Sequence, residues 1–305
     1  MTIDTIETND LMTKTIAISV EFTSMGSHRK ASLDGVEVAA DADEKRVGVH
    51  TKILKCPEMD AIHKLFQKLR TSLIDAKQGL VLPSLFKRGV YLVPIASVDQ
   101  VNTLLTEARS SLDAMVNALI EVYDLRIQED SVALGTRFRA SHYPLIADLR
   151  EAFSVSWSFL SLAVDSQLES ISSEIFAAQK KLSKEKEAAA CEEIILVLRG
   201  AAYSLVATMD EMLSGFDKNG KPMRFYDSKI TNLLNFMNNF EVRNVMQDKE
   251  LSDALGEMRG LLSGVSPEAL RTSDGLRLAV SEQTGKIKDK LSGLMTSAKR
   301  KIELE

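Results

Sequence analysis

Apolar and polar residues alternate strictly from Thr15 to Thr23, with Ile16, Ile18, Val20 and Phe22 on one side and Thr15, Ala17, Ser19 and Glu21 on the other. Successive side chains of an extended chain point to opposite faces, so this segment predicts a half-buried strand. A second alternating stretch, Val47 to Lys55, sets Val47, Val49, Thr51 and Ile53 on one face. The two are expected to form a small antiparallel pair. The long polar connection between them, Ser24 to Arg46, holds Gly26, Gly35 and the acidic run Asp41, Asp43, Glu44.

Beyond Lys55 the period lengthens to that of a helix. Pro57 suits a first helical position, where its missing N–H costs nothing. The stripe Ile62, Leu65, Phe66, Leu69, Leu73 and Ile74 follows, and Gly79 is placed to close the helix in a left-handed cap. Leu80 to Pro94 carries two prolines and Gly89 around the strip Val90-Tyr91-Leu92-Val93, which predicts loop or short strand. Ser97 and Gln100 have capping-box spacing. The stripe from Val98 through Leu105, Leu112 and Leu119 to Tyr123 then predicts about seven turns of helix. A polar segment, Gln128 to His142, leads to Tyr143-Pro144, after which Leu145, Leu149, Phe153, Trp157 and Leu160 return to helical spacing.

From Phe153 to Leu213 there is no proline, and Gly200 is the only glycine. Leu168, Ile171, Ile175, Ala178 and Leu182 step by three and four, as do Ile195, Leu198, Ala202, Leu205, Met209 and Met212. Ser183 to Ala190 between them has no turn chemistry, so the loss of phase resembles a stutter. One continuous helix of ~60 residues would be ~90 Å long and would need a neighbouring rod to cover its apolar face. Leu168, Ile171, Ile175, Leu182, Ile195, Leu198, Leu205 and Met209 are therefore the candidate partner-binding seam. Asp217 to Pro222 reads as a turn, and Ile230 to Phe240, Leu251 to Leu262 and Ser266-Pro267-Glu268 read as further helices.

The pattern as a whole predicts a mainly α protein: a long antiparallel helical bundle or coiled-coil-like stalk with a small N-terminal β-element. It divides into a small α+β region over 1–95, a long-helix bundle over 96–214 and a C-terminal helical region over 215–305.

Composition changes this picture little. Over 305 residues the chain is 45% hydrophobic, 27% charged and 6% aromatic, a globular mixture rich in helix formers. A formal net charge of −5 gives no whole-molecule attraction to nucleic acid or an anionic membrane, so such binding must be local. Local candidates exist in Arg29 and Lys30 after the first strand, and in Lys286, Lys288, Lys290, Lys299, Arg300 and Lys301 near the end. The opening residues lack the basic and apolar regions of a secretory signal, and no apolar run approaches the roughly 20 residues of a membrane span. Cytoplasm is the expected compartment, which suits two cysteines, Cys56 and Cys191, with no disulfide or zinc spacing.

Catalytic and cofactor motifs are not found. There is no glycine-rich loop with a Lys-Ser/Thr pair, no Gly-x-Ser-x-Gly elbow, and no two of His28, His50, His63 and His142 at helical ligand spacing. Asp217-Lys218-Asn219-Gly220 echoes part of a calcium loop, but Gly215 and Tyr226 would fall at its first and last ligand positions. The expectation is a chain that is not an enzyme and takes no cofactor or metal.

Several features together resemble a known family: Ile18-Ser19-Val20-Glu21-Phe22 with Gly26 and Arg29-Lys30, then Lys52-Ile53-Leu54, Tyr91-Leu92-Val93-Pro94, the helix ending at Tyr123, and the step from Tyr143-Pro144 to Phe153. They look like a helical family of bacteriophages and bacterial mobile elements, often encoded beside a MoxR-type AAA+ ATPase and a von Willebrand A-domain protein. The likeness covers roughly the first two-thirds of the chain. It implies a non-enzymatic adaptor or partner of an AAA+ ATPase in a bacterial or phage-infected cell, with no catalytic residues to carry over. Two alternatives stand beside it: a nucleic-acid-binding protein of phage replication or recombination, and a self-associating structural or assembly protein.

Overall fold

A computed structural model describes residues 11–31, 47–83, 87, 89–215, 223 and 226–302, with side chains to 296. The expected connection over 32–46 and turn over 217–222 lie outside the described residues. In chain order the elements are α1 Leu11–Lys14, β1 Thr15–Thr23, β2 His28–Ala31, β3 Val49–Lys52, α2 Pro57–Ile74, β4 Val90–Pro94, α3 Val98–Leu134, α4 Ile146–Leu149, β5 Ser154–Leu160, α5 Gln167–Ile171, α6 Ser173–Ser214, α7 Asp227–Arg243, α8 Lys249–Leu262, α9 Pro267–Thr272 and α10 Asp274–Ile302. The protein is mostly helical. Its compact units do not follow the consecutive segments 1–95, 96–214 and 215–305: one comprises Met1–Ser19, Arg70–Val101 and Phe159–Glu305, the other Val20–Leu69 and Asn102–Ser158.

The first strand forms where alternation placed it, but with a different partner. β1 is central in a sheet of order β4-β1-β5, and it pairs antiparallel with β4 from Thr15 opposite Pro94 to Ser19 opposite Val90. β3 pairs with β2 instead, in a separate ribbon. Alternation reports which face is covered and says nothing of which strand lies alongside. Thr15 and Ala17 are buried together with Ile18 and Val20, so the start of β1 is covered on both faces. The apolar strip of β4, with Val90, Leu92, Val93 and Pro94 all buried, supplies a neighbour of matching character.

In the unit built on Val20–Leu69 and Asn102–Ser158, α3 runs past Tyr123 to Leu134, eleven residues beyond its clear apolar stripe. Polar contacts hold this extension. Asp130, buried, accepts the Leu54 N–H at 2.6 Å and the Tyr143 hydroxyl at 2.8 Å, and Arg126 pairs with Glu58 at 2.8 Å. The stretch after Leu149, expected as helix, is strand β5. A four-residue step such as Leu149, Phe153, Trp157 is also a multiple of two, and Ser154-Val155-Ser156-Trp157-Ser158-Phe159 alternates at the strand period. Arg109 of α3 secures β5, donating from Nε to the Val155 carbonyl at 3.2 Å and standing 4.6 Å over the Trp157 ring.

In the other unit α2 ends at Ile74 rather than at Gly79, and Gly79 is not left-handed. Glycine is needed there for close approach: a Cβ would lie 2.6 Å from the Asp75 carbonyl oxygen and 2.7 Å from that of Leu73. The 75–79 turn is held from α7, where Arg243 donates to the Ala76 carbonyl at 2.9 Å and Asn239 to that of Gln78 at 3.0 Å. Burial pushes the Arg243 guanidinium down to about 10.

The core of this unit gathers Ala190, Ile194, Leu198, Ala202, Val206 and Met209 of α6 with Phe236 and Phe240 of α7 and Leu251, Leu255 and Met258 of α8. The lysine-rich C-terminal segment belongs to it too, which its polar composition concealed. Arg277, Val280, Thr284, Ile287 and Leu291 of α10 recur at three- and four-residue steps and are all buried. α10 runs antiparallel to α6: Arg277 donates to the Met212 and Leu213 carbonyls, Lys288 meets Asp210 at 2.5 Å, and the Leu294 carbonyl meets Arg199 at 3.1 Å. Arg277 thereby satisfies carbonyls at the end of α6 that have no partner within the helix.

Candidate functional site

α6 passes unbroken through Ser183–Ala190, but at 42 residues it is about 63 Å long rather than ~90 Å, because β5 and α5 precede it. Its N-terminus is fixed by the Ser172 hydroxyl, which accepts the Ile175 N–H at 3.3 Å. Just upstream, the Asp165 carboxylate accepts the Gln167 N–H at 2.8 Å and sets the start of α5.

The second half of α6, from Ala190 on, is closed in the core. The first half is not: Ile171 on α5 is 79% exposed, and Ile175 and Leu182 on α6 are 53% and 41% exposed. Together with Leu162, Val164 and Leu168, Ile175 and Leu182 line a cleft of about 470 Å³ between the 162–168 segment and α6. Asp165, Gln179, Ser183 and Lys186 join these apolar side chains in its lining. Lys181 pairs with Glu185 at 3.9 Å along the same exposed turns, and Lys180 stands 5.7 Å from the Phe176 ring.

The predicted seam is therefore two surfaces. Leu168, Ile171, Ile175 and Leu182 remain accessible. Leu198 and Met209 are buried and Leu205 packs half-buried against the core, so these three contact the chain itself and are corrected from a partner surface to core packing, while Ile195 is half-buried beside them. Leu162 and Val164 were not singled out beforehand, although the apolar run Phe159–Val164 was their signal.

Glu187 marks the junction between the two halves. It is buried, its Oε1 lacks a hydrogen-bond partner, and desolvation raises its carboxyl above the ordinary 4.5 despite a bond from the Met12 N–H. A raised carboxyl favours the fold below the ordinary glutamate range and loses that contribution as pH rises. Glu187→Gln is expected to be more stable than the natural chain at neutral pH and to flatten the decline seen between mildly acidic and neutral pH. Urea unfolding across that range checks it; parallel curves for the two proteins would contradict it.

The candidate anion contacts divide similarly. Lys30 is exposed, whereas Arg29 turns back on its own loop, donating to the carbonyls of Gly26 at 2.6 Å and His28 at 3.1 Å. On α10, Lys286 pairs with Glu282 at 2.9 Å, Lys288 with Asp210 and Lys290 with Glu257 at 2.7 Å, so these three are engaged with acids. The side chains of Lys299, Arg300 and Lys301 lie outside the described residues. Burial pushes the thiols of Cys56 and Cys191 up to about 11, which keeps them protonated near neutrality. Among the described residues no three His, Cys, Asp or Glu side chains converge on a metal position, and no helix is long and apolar enough to cross a membrane.

Compared with protein-family models, curated proteins and solved structures, the chain matches none.

Proposed function

We propose that the chain is a non-enzymatic adaptor that docks a protein partner on the exposed first half of α6. One observation carries this reading: the apolar stripe of α6 continues past the core, so that Ile175 and Leu182, with Ile171 beside them, stand in water around a preformed cleft. A helix whose stripe outruns its own core has apolar surface to offer another molecule. Burying one such Ile or Leu fully contributes roughly 1.5–3 kcal/mol.

The family likeness in the first two-thirds of the chain makes a MoxR-type AAA+ ATPase the partner to test, in a bacterial or phage-infected cytoplasm. The experiment mixes the full chain with the MoxR-type ATPase of the same genome and measures binding for the natural sequence and for Ile175→Glu/Leu182→Glu. Both positions are exposed, so the fold is expected to persist. Binding is expected to fall by on the order of a hundredfold, about a factor of ten for each side chain withdrawn. Equal binding by the two proteins contradicts the reading. A dimer of the chain alone that the same variant dissolves would assign the face to a second copy instead.

A further inference from the structure

We propose that the β2–β3 ribbon is a contact surface for the phosphate backbone of double-stranded DNA. The register sets His28 opposite Lys52 and Lys30 opposite His50, and residues two apart on a strand share a face. His28, Lys30, His50 and Lys52 thus stand together on one side of the ribbon, and all four are exposed. The other side carries Arg29, Ala31, Val49 and the buried Thr51, whose hydroxyl donates to the Arg29 carbonyl at 3.4 Å. The ladder continues with the Ile53 N–H donating to the Ser27 carbonyl at 2.8 Å, so the basic face sits on a paired and anchored element.

Neither strand contains an acid, and among the described residues Lys30, His50 and Lys52 make no hydrogen bond or ion pair. The two lysine ammoniums gain no compensating acidic partner among the described residues. An external polyanion would supply one. Two strands about 4.8 Å apart form a ribbon narrow enough for the B-DNA major groove, about 12 Å wide, whereas the A-form RNA groove is too narrow. The face carries no Phe, Tyr or Trp on which single-stranded bases could stack. A lysine ammonium acts as a point charge on phosphate oxygens, and phosphate contacts carry no sequence information, so the contact is sequence-independent. This differs from the α10 lysines, which acids already engage.

The test is fluorescence anisotropy of a short labelled DNA duplex titrated with the full chain at rising salt. The natural chain is expected to bind at low salt. Lys30→Ala/Lys52→Ala should lose about two from the slope of log affinity against log salt and bind on the order of tenfold or more weakly at about 0.1 M salt. Lys30→Arg/Lys52→Arg should retain binding, which separates lost charge from lost fold. Lys286→Ala/Lys290→Ala should leave affinity and slope unchanged. The proposal is overturned if the natural chain fails to bind duplex at low salt or if the alanine pair binds with unchanged slope. It is equally overturned if single-stranded DNA of the same length binds more tightly, or if the α10 pair loses as much as the ribbon pair.

Discussion

Asp248→Ala is expected to cost about 3–5 kcal/mol of the stability of the unit containing α6, α7, α8 and α10, the range for breaking a buried ion pair from one side. Asp248 and Arg199 are only 5% and 11% exposed, and they meet in a two-pronged contact, Nε to Oδ2 at 2.7 Å and Nη2 to Oδ1 at 3.0 Å. The same carboxylate caps α8 by accepting the Leu251 N–H at 3.1 Å. With it gone, the guanidinium keeps, among the described residues, only the Leu294 carbonyl and Glu250, a largely exposed acid. Arg199→Ala breaks the pair but spares the cap, so it should fall short of Asp248→Ala by about 1 kcal/mol, the usual worth of an N-cap. Urea denaturation of both single variants and the double variant measures this, and the double variant should cost much less than the sum. Simple additivity would show that the two side chains do not act as a pair.

Asp130→Ala is expected to destabilise the other unit by about 2–4 kcal/mol, because it orphans two buried donors at once, each costing about 1–3 kcal/mol. One is the backbone N–H of Leu54, which sits at φ 49°, a conformation that a branched residue adopts only under constraint. The other is the Tyr143 hydroxyl. Both donate to the same Oδ2, so Asp130→Asn, whose amide oxygen can accept them, should cost clearly less. Thermal or urea unfolding followed by tyrosine and tryptophan fluorescence reads the difference, since Trp157, Tyr123 and Tyr143 all lie in this unit. Equal costs for the Ala and Asn variants would mean that the two hydrogen bonds are not what Asp130 contributes.

These two aspartates illustrate where the sequence could be read and where it could not. β1, the starts of α2 and α3 and the mostly helical class followed from spacing, and the start of α9 from the Ser266 cap, all of them local signals; the Ser97–Gln100 capping box is not formed among the described residues, since Ser97 ends a 3-10 turn, Ile95–Ser97, ahead of α3. Asp130 and Asp248 carry their weight through partners 76 and 49 positions away, Leu54 and Arg199, and nothing in their own neighbourhood marks them. The same limit misassigned strand partners, since β1 finds β4 rather than β3. Local signals also misled where two periods coincide, as in the four-residue steps through Phe153 and Trp157. In α10 the core stripe includes Arg277 and Thr284, polar residues whose donors are satisfied by carbonyls of α6 or of α10 itself, so a hydropathy reading passed over it. The candidate site was half legible. Leu168 to Leu182 was recognised as an apolar seam, while the continuation through Leu198 and Met209 turned out to face α6's own neighbours, because a single helix pattern cannot tell an internal partner from an external one.

The docking claim for the first half of α6 is tested most directly by placing a photo-crosslinking residue at Ile175 in the full chain inside its native host, with Val132, 85% exposed on α3, as the reference position. The account requires one discrete heavier adduct on illumination from position 175, absent from position 132 and abolished by Leu182→Glu. Adducts equal at the two positions, or none from 175, would contradict it.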